Sequence, residues 1–171
     1  MKMKKIIAMI TALLLLLVSS SCTEEETAVS RRGSEISADK FKAEFTQYSG
    51  EGENKTAKLV YPDNFSGIYI GEDNRLYILY THDKESLMNN ISEDDAVFKQ
   101  VEYGYNYLER VRAFAAYYSG CTCAIDEKEN RVLVHIAKEK REALTERLCQ
   151  TLDGFDENVI SFREPITAVT T

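Results

Sequence analysis

The sequence predicts an α+β domain. Between Val97 and Phe162, strand-like and helix-like segments alternate in the order β-α-β-β-α-β, and turn residues separate them. Hydrophobic residues make up 44% of the chain, which is enough to build a core. The order of elements predicts a ferredoxin-like antiparallel sheet with both helices on one face. An N-terminal β-hairpin and a short helix are expected to precede it.

The N-terminal hairpin is predicted from two short apolar runs, residues 68–70 and 76–81. The connection Gly71-Glu72-Asp73-Asn74 is rich in residues that tolerate a left-handed backbone, as turns require. The hairpin is followed by residues 83–90, where Leu87 and Ile91 are spaced as on a short helix.

Two longer helices are predicted from apolar residues that recur every three or four positions. The first follows Asn106 and ends at Gly120, a residue suited to the left-handed end of a helix. The second covers residues 139–151, with Leu144 and Leu148 on its apolar stripe.

A second hairpin joins these helices, with strands at residues 122–126 and 132–136. If its tight turn pairs Asp126 with Arg131, Cys123 lies opposite Val134 and on the apolar face. His135 then lies on the other face, away from the cysteines. The last strand is Val159-Ile160-Ser161-Phe162.

The first 21 residues have the layout of a secretory signal peptide. Three lysines precede an apolar run of residues 6–18, and three serines then lead to Cys22. This run is too short for the roughly 20 residues that a membrane-spanning helix needs. The small residues before Cys22 resemble the lipobox of bacterial lipoproteins, although Ser19 replaces the usual Leu. The resemblance implies cleavage before Cys22, diacylglyceryl attachment to its thiol and a stable membrane anchor outside the cytoplasm. An ordinary secreted protein is the alternative.

The sequence divides into a signal peptide (residues 1–21), a lipidated Cys22 with a flexible tether (22–57), an α+β domain (58–164) and a C-terminal tail (165–171). The tether is polar and largely without apolar periodicity. One short helix is expected within it, near Asp39–Tyr48.

Three further cysteines, Cys121, Cys123 and Cys149, leave several interpretations open. They pack as small apolar groups, or Cys149 forms a disulfide with Cys121 or Cys123, which an exported protein permits. A zinc site with His135 would need ligands from both faces of the hairpin. A nucleophilic Cys123–His82 pair lacks any local motif.

Composition and motifs exclude several function classes. The net charge of −7 disfavours binding to nucleic acid or to an anionic membrane surface. No serine-hydrolase elbow, phosphate-binding loop or zinc-protease motif occurs, so the sequence predicts no enzyme and no cofactor.

Four segments of the domain resemble a known family. They are Tyr61–Ile70 (YPDNFSGIYI), Leu76–Thr81, Val101–Leu108 and Ile125–Val134. Together they are similar to small exported proteins of Gram-positive bacteria that resemble the pro-region of streptogrisin and α-lytic proteases. In those proteases the pro-region assists folding and inhibits the enzyme, adding its sheet to a protease hairpin and placing its C-terminal tail in the active site.

The resemblance implies binding to a partner without catalysis. Because the chain ends at Thr171, we expect no protease domain in the same chain. The expected function is therefore that of a membrane-anchored surface lipoprotein that binds an exported protease or another protein. Binding to a protease is expected to inhibit the enzyme or to assist its folding. The expected partner-binding tail consists of Pro165, Ile166, Thr167, Ala168 and Val169. The alternative is a structural or ligand-sensing module of the cell envelope with no protease partner.

Overall fold

A computed structural model of the chain describes residues 31–49, 56–88, 91 and 94–165. The signal peptide and Cys22 lie outside these residues. The elements are α1 (residues 31–44), β1 (Thr46–Ser49), β2 (Thr56–Leu59), β3 (Phe65–Ile70), β4 (Leu76–Tyr80), β5 (Ala96–Gln100), α2 (Tyr105–Ser119), β6 (Thr122–Asp126), β7 (Arg131–His135), α3 (Arg141–Thr151) and β8 (Ile160–Arg163). The predicted α+β class is confirmed. In the described ranges, no helix combines the length and apolar character needed to span a membrane.

The first sheet has the strand order β3-β4-β5. The predicted hairpin is present as the antiparallel pair β3–β4, and β5 lies parallel to β4 with Ala96 beside Leu76. The predicted short helix between β4 and β5 is one 3-10 turn, Lys84–Leu87. Alternate side chains of these strands pack in one core cluster with Phe41 of α1.

The second sheet has the strand order β6-β7-β8, and α2 and α3 cover one of its faces. The hairpin β6–β7 has the predicted register, with Cys123 opposite Val134. Val132 and Val134 are fully buried against Leu108 and Val111 of α2 and against Leu148 of α3. The period of two along β7 therefore determines which face the helices cover.

The predicted ferredoxin-like sheet is wrong, because its four strands lie in two separate sheets. The strand at Ala96–Gln100 joins the first sheet, and β7 pairs directly with β8 in parallel. A ferredoxin-like sheet would place the strand before α2 between those two strands. Here the short connection from β4 returns the chain beside β4, where Ala96 is 2% exposed in the first core. Burial of β5 against its sequence neighbour therefore separates the strands into two sheets.

The folded part includes residues that the sequence assigned to the tether. Phe41 of α1 is 1% exposed and contacts Phe45 and Phe65 through ring centroids 5.0 and 5.8 Å away. Ser34 of α1 donates a hydrogen bond to the main-chain oxygen of Asn74 (2.6 Å). After α1, β1 and β2 form a separate antiparallel hairpin. We therefore place the start of the packed structure within residues 22–57.

The two sheets repeat one arrangement. In each, an antiparallel hairpin is followed by a helical connection and a third strand parallel to the second. The two hairpin turns end in similar sequences, Asp73-Asn74-Arg75-Leu76 and Glu129-Asn130-Arg131-Val132. Asn74 and Asn130 both have a left-handed backbone, with φ of 60° and 54°. Asparagine suits this conformation better than most residues, so the same turn chemistry begins the second strand in both halves.

Candidate protein-interaction site

The second sheet offers two edges. Among the described strands, β6 and β8 each pair with β7 alone. The main-chain nitrogen of Ile136 donates to the oxygen of Arg163 (3.0 Å), so the main-chain groups of Arg163 point toward β7. Along a strand, the N–H and C=O groups of successive residues point alternately to the two sides. By this alternation, Cys123 on β6 and Phe162 on β8 direct their main-chain N–H groups away from β7. Such unpaired groups are a template for an added strand.

The edge of β8 is partly occupied by the chain itself. The N–H of Ile160 donates to the main-chain oxygen of Glu157, and the Arg163 guanidinium donates to the oxygen of Phe162 (3.3 Å). Among the described residues, the N–H of Phe162 and the C=O of Ile160 have no such partner. These two groups are the donor and acceptor that one residue of a parallel strand would use.

A groove of about 580 Å³ runs between the edge of β8 and α3. Phe162, Thr145 and Cys149 are among its lining residues. It is also lined by three exposed carboxylate side chains, Glu142, Glu146 and Glu157. Within the described structure none of these three has a cationic partner. The groove therefore lies beside a free strand edge and has an acidic lining.

One cation in the groove, Arg141, is already paired. Its Nη2 atom lies 2.6 Å from Oε1 of Glu164, and its guanidinium is 5.5 Å from the centre of the Phe162 ring. His135 Nδ1 is hydrogen-bonded to the main-chain oxygen of Glu164 (3.0 Å). These contacts hold the chain where the tail begins. Of the predicted tail, Pro165 is described and exposed, whereas the positions after it lie outside the described residues.

The three described cysteines do not form one site. Cys121, Cys123 and Cys149 are free thiols, so the predicted disulfide is not among the bonds of the structure. Cys123 packs against the second core, where burial raises the pKa of its thiol. A raised pKa lowers the thiolate fraction and disfavours the nucleophilic interpretation. Cys149 is exposed on α3, with its sulfur 4.0 Å from Oε1 of Glu157.

The described part of the chain does not bring together the residues of the predicted zinc site or of the Cys123–His82 pair. His135 pairs with Thr122 in the register of the hairpin, as the predicted alternation requires. Its ring also contacts Glu164. His82 Nδ1 is hydrogen-bonded to Thr81 Oγ1 (2.8 Å). No group of three ligating side chains that could hold a metal ion is found among the described residues.

Glu127 connects the two sheets. Its carboxylate accepts a hydrogen bond from the main-chain N–H of Ile68 (3.1 Å), at the bulge of β3. Gly67 has φ of +133°, and a Cβ there would lie 3.2 Å from Cβ and Cγ of Glu127. Burial raises the pKa of Glu127, and the bond from Ile68 and the charge of Lys42 oppose that rise. The junction is therefore a close fit between a carboxylate and a glycine.

A second polar cluster fixes the start of α2 against the second hairpin. Asn130 accepts a hydrogen bond from the N–H of Tyr103 and donates one to its C=O, both at 2.8 Å. The hydroxyl of Tyr103 donates to Asp156 (2.5 Å), and Arg131 lies 4.8 Å from the centre of its ring. Burial, with the hydrogen bond to Asp156, raises the pKa of Tyr103. The side chains of Asn130, Tyr103 and Asp156 all form hydrogen bonds within the fold, which indicates a structural role.

The sequence signals identified the cysteines and the tail but missed the groove. Its only local signal is the pair Glu142 and Glu146, four residues apart on α3, where like charges repel. The groove forms only when β8 returns beside α3, which the sequence does not reveal locally. No known family model matches the chain, and no curated protein is similar to it at a significant level.

Proposed function

We propose that this protein is a non-catalytic lipoprotein, anchored by a diacylated Cys22 to the outer side of a bacterial cell membrane. Its α+β domain binds a partner protein by strand addition. The leader, the small residues before Cys22 and the free edges of the second sheet support this proposal. The edges carry most weight, because strand addition requires unpaired main-chain groups.

The preferred partner is an exported protease, inhibited or assisted in folding by this chain. The support is the resemblance of residues 59–163 to protease pro-regions, together with the contacts that hold the chain at Glu164, directly after β8. Arg141 forms an ion pair with the Glu164 side chain, and His135 is hydrogen-bonded to the Glu164 main-chain oxygen. Deletion of residues 165–171 should weaken inhibition of the cognate protease, measured as its hydrolysis of a peptide substrate. Equal inhibition with and without the tail would contradict this form of the proposal.

Strand addition itself can be tested with proline. Proline at an edge position removes an outward N–H group and leaves the bonds to β7 in place. We expect Cys123→Pro or Phe162→Pro to reduce capture of the partner from the native cell surface by the full chain. Cys123→Val and Phe162→Leu are the matched controls, and circular dichroism checks that each variant is folded. Unchanged capture by both folded proline variants would refute strand addition.

The anchor is tested separately, by mass spectrometry of the protein isolated from membranes. The expected N-terminal residue is Cys22 with attached acyl chains. An unmodified Cys22 in protein recovered from the cytosol would refute the proposed location.

A further inference from the structure

We infer that the groove between β8 and α3 is the docking site, and that it accepts an extended segment with basic side chains, parallel to β8. This inference rests on the proposed strand addition and specifies its edge, the direction of the added strand and its chemistry.

The choice of edge follows from the groove. An added strand directs alternate side chains to each face of the sheet, and specificity requires space for those side chains. The groove of about 580 Å³ lies on the face that Phe162 shares with α3. Side chains of a strand beside β8 would enter it directly.

The direction follows from the groups that remain free. The C=O of Ile160 and the N–H of Phe162 flank Ser161, and one residue of a parallel strand can bond to both. An antiparallel strand would instead use both main-chain groups of Phe162, whose oxygen already accepts a hydrogen bond from Arg163. The parallel direction therefore leaves the existing contact intact.

The chemistry follows from the lining charges. The doubly bonded residue lies opposite Ser161, so the residues before and after it point into the groove. There they meet Glu142, Glu146 and Glu157, while the only lining cation, Arg141, is paired with Glu164. Glu142 and Glu146 repel each other at a spacing of four residues, and a lysine or arginine between them would remove that repulsion.

The position of Cys149 gives a test of direction. Its sulfur lies 4.0 Å from Glu157, which precedes β8, whereas Arg141 lies by Glu164, which follows β8. The N-terminal end of a parallel segment would thus lie by Cys149. A peptide with a cysteine two residues before the basic residue, supplied as its mixed disulfide with glutathione, should exchange with the Cys149 thiol and release glutathione. In an antiparallel segment, a cysteine two residues after it would do so.

The experiment displays randomised eight-residue segments and selects them on the full chain in detergent. We expect lysine or arginine to be enriched at one position or at two alternate positions. A selected peptide should bind the double variant Glu146→Gln, Glu157→Gln about tenfold more weakly, measured by fluorescence anisotropy. Glu139→Gln, an exposed acid outside the groove lining, is the matched control and should bind normally. Phe162→Pro should weaken binding about five- to tenfold relative to Phe162→Leu.

Several results would overturn this inference. They are the absence of any selected segment, selection without basic residues, and affinity unchanged in the double variant. A disulfide to Cys123 in place of Cys149 would move the site to β6, and one formed only by the antiparallel design would reverse the direction. A partner that is lost in Cys123→Pro and retained in Phe162→Pro would refute the groove and leave the proposed function intact.

Discussion

Replacement of Asn130 should destabilise the fold more than any comparable change in a turn. Asn130 is 3% exposed, and its side chain satisfies both main-chain groups of Tyr103, itself 7% exposed. A buried group left without a partner costs about 1–3 kcal/mol, so Asn130→Gly should lose about 2–6 kcal/mol of unfolding free energy. That is a large fraction of the roughly 5–15 kcal/mol typical of a domain. Asn130→Ala should lose about 1–2 kcal/mol more, because φ is +54°.

The assay is urea unfolding of the full chain, followed by far-ultraviolet circular dichroism. Asn74 provides the control, since it has φ of 60° at the corresponding turn and bonds through its main chain, with its oxygen accepting from Ser34 and its N–H donating to Gly71. Asn74→Gly should therefore change stability by less than about 1 kcal/mol. If Asn130→Gly is no more destabilising than Asn74→Gly, the two hydrogen bonds to Tyr103 do not contribute as the geometry requires.

Three further predictions concern the junction and the thiols. Because burial raises the folded-state pKa of Glu127, the folded state holds this proton more tightly, and the associated stability is lost as the pH rises through and above the ordinary range of a glutamate. Glu127→Gln should flatten this pH dependence in urea unfolding; a slope equal to that of the native chain would contradict it. Gly67→Ala should cost about 1–3 kcal/mol because of φ +133° and the contact with Glu127, and more than Gly120→Ala, where a Cβ meets nothing within 4 Å. In timed maleimide labelling, Cys149 should react before Cys123, whose thiol is partly buried with a raised pKa; the reverse order would refute that assignment.

Local sequence patterns predicted the elements well where their signals lie within one segment. The register of β6 and β7, with Cys123 opposite Val134, follows from turn length and alternation. The end of α2 at Gly120 follows from the left-handed φ of 62° that glycine adopts there. The repeated Asn-Arg turn, at Asn74 and Asn130, is also a local signal. It was not used in the prediction, although it indicates two similar halves.

Pairing between distant strands was not predictable in this way. Ala96–Gln100 has the same strand signal whether it joins β4 or β7, since the pattern specifies a buried face and no partner. The lining of the candidate site was not predictable from local sequence for the same reason. Glu142 and Glu157 are fifteen positions apart in sequence, and only the return of β8 beside α3 places them along one groove.

The sequence by itself determined the α+β class, the strand faces and the amphipathic helices, because these depend on periodicities of two and about 3.6 residues. It also contains the leader and Cys22, on which the proposed anchor depends. The tertiary structure decided that the strands form separate sheets, that Glu127 and Gly67 join them, and that β8 has a free edge beside an acidic groove. These features depend on which surfaces bury one another, and that choice is settled by packing over the whole chain.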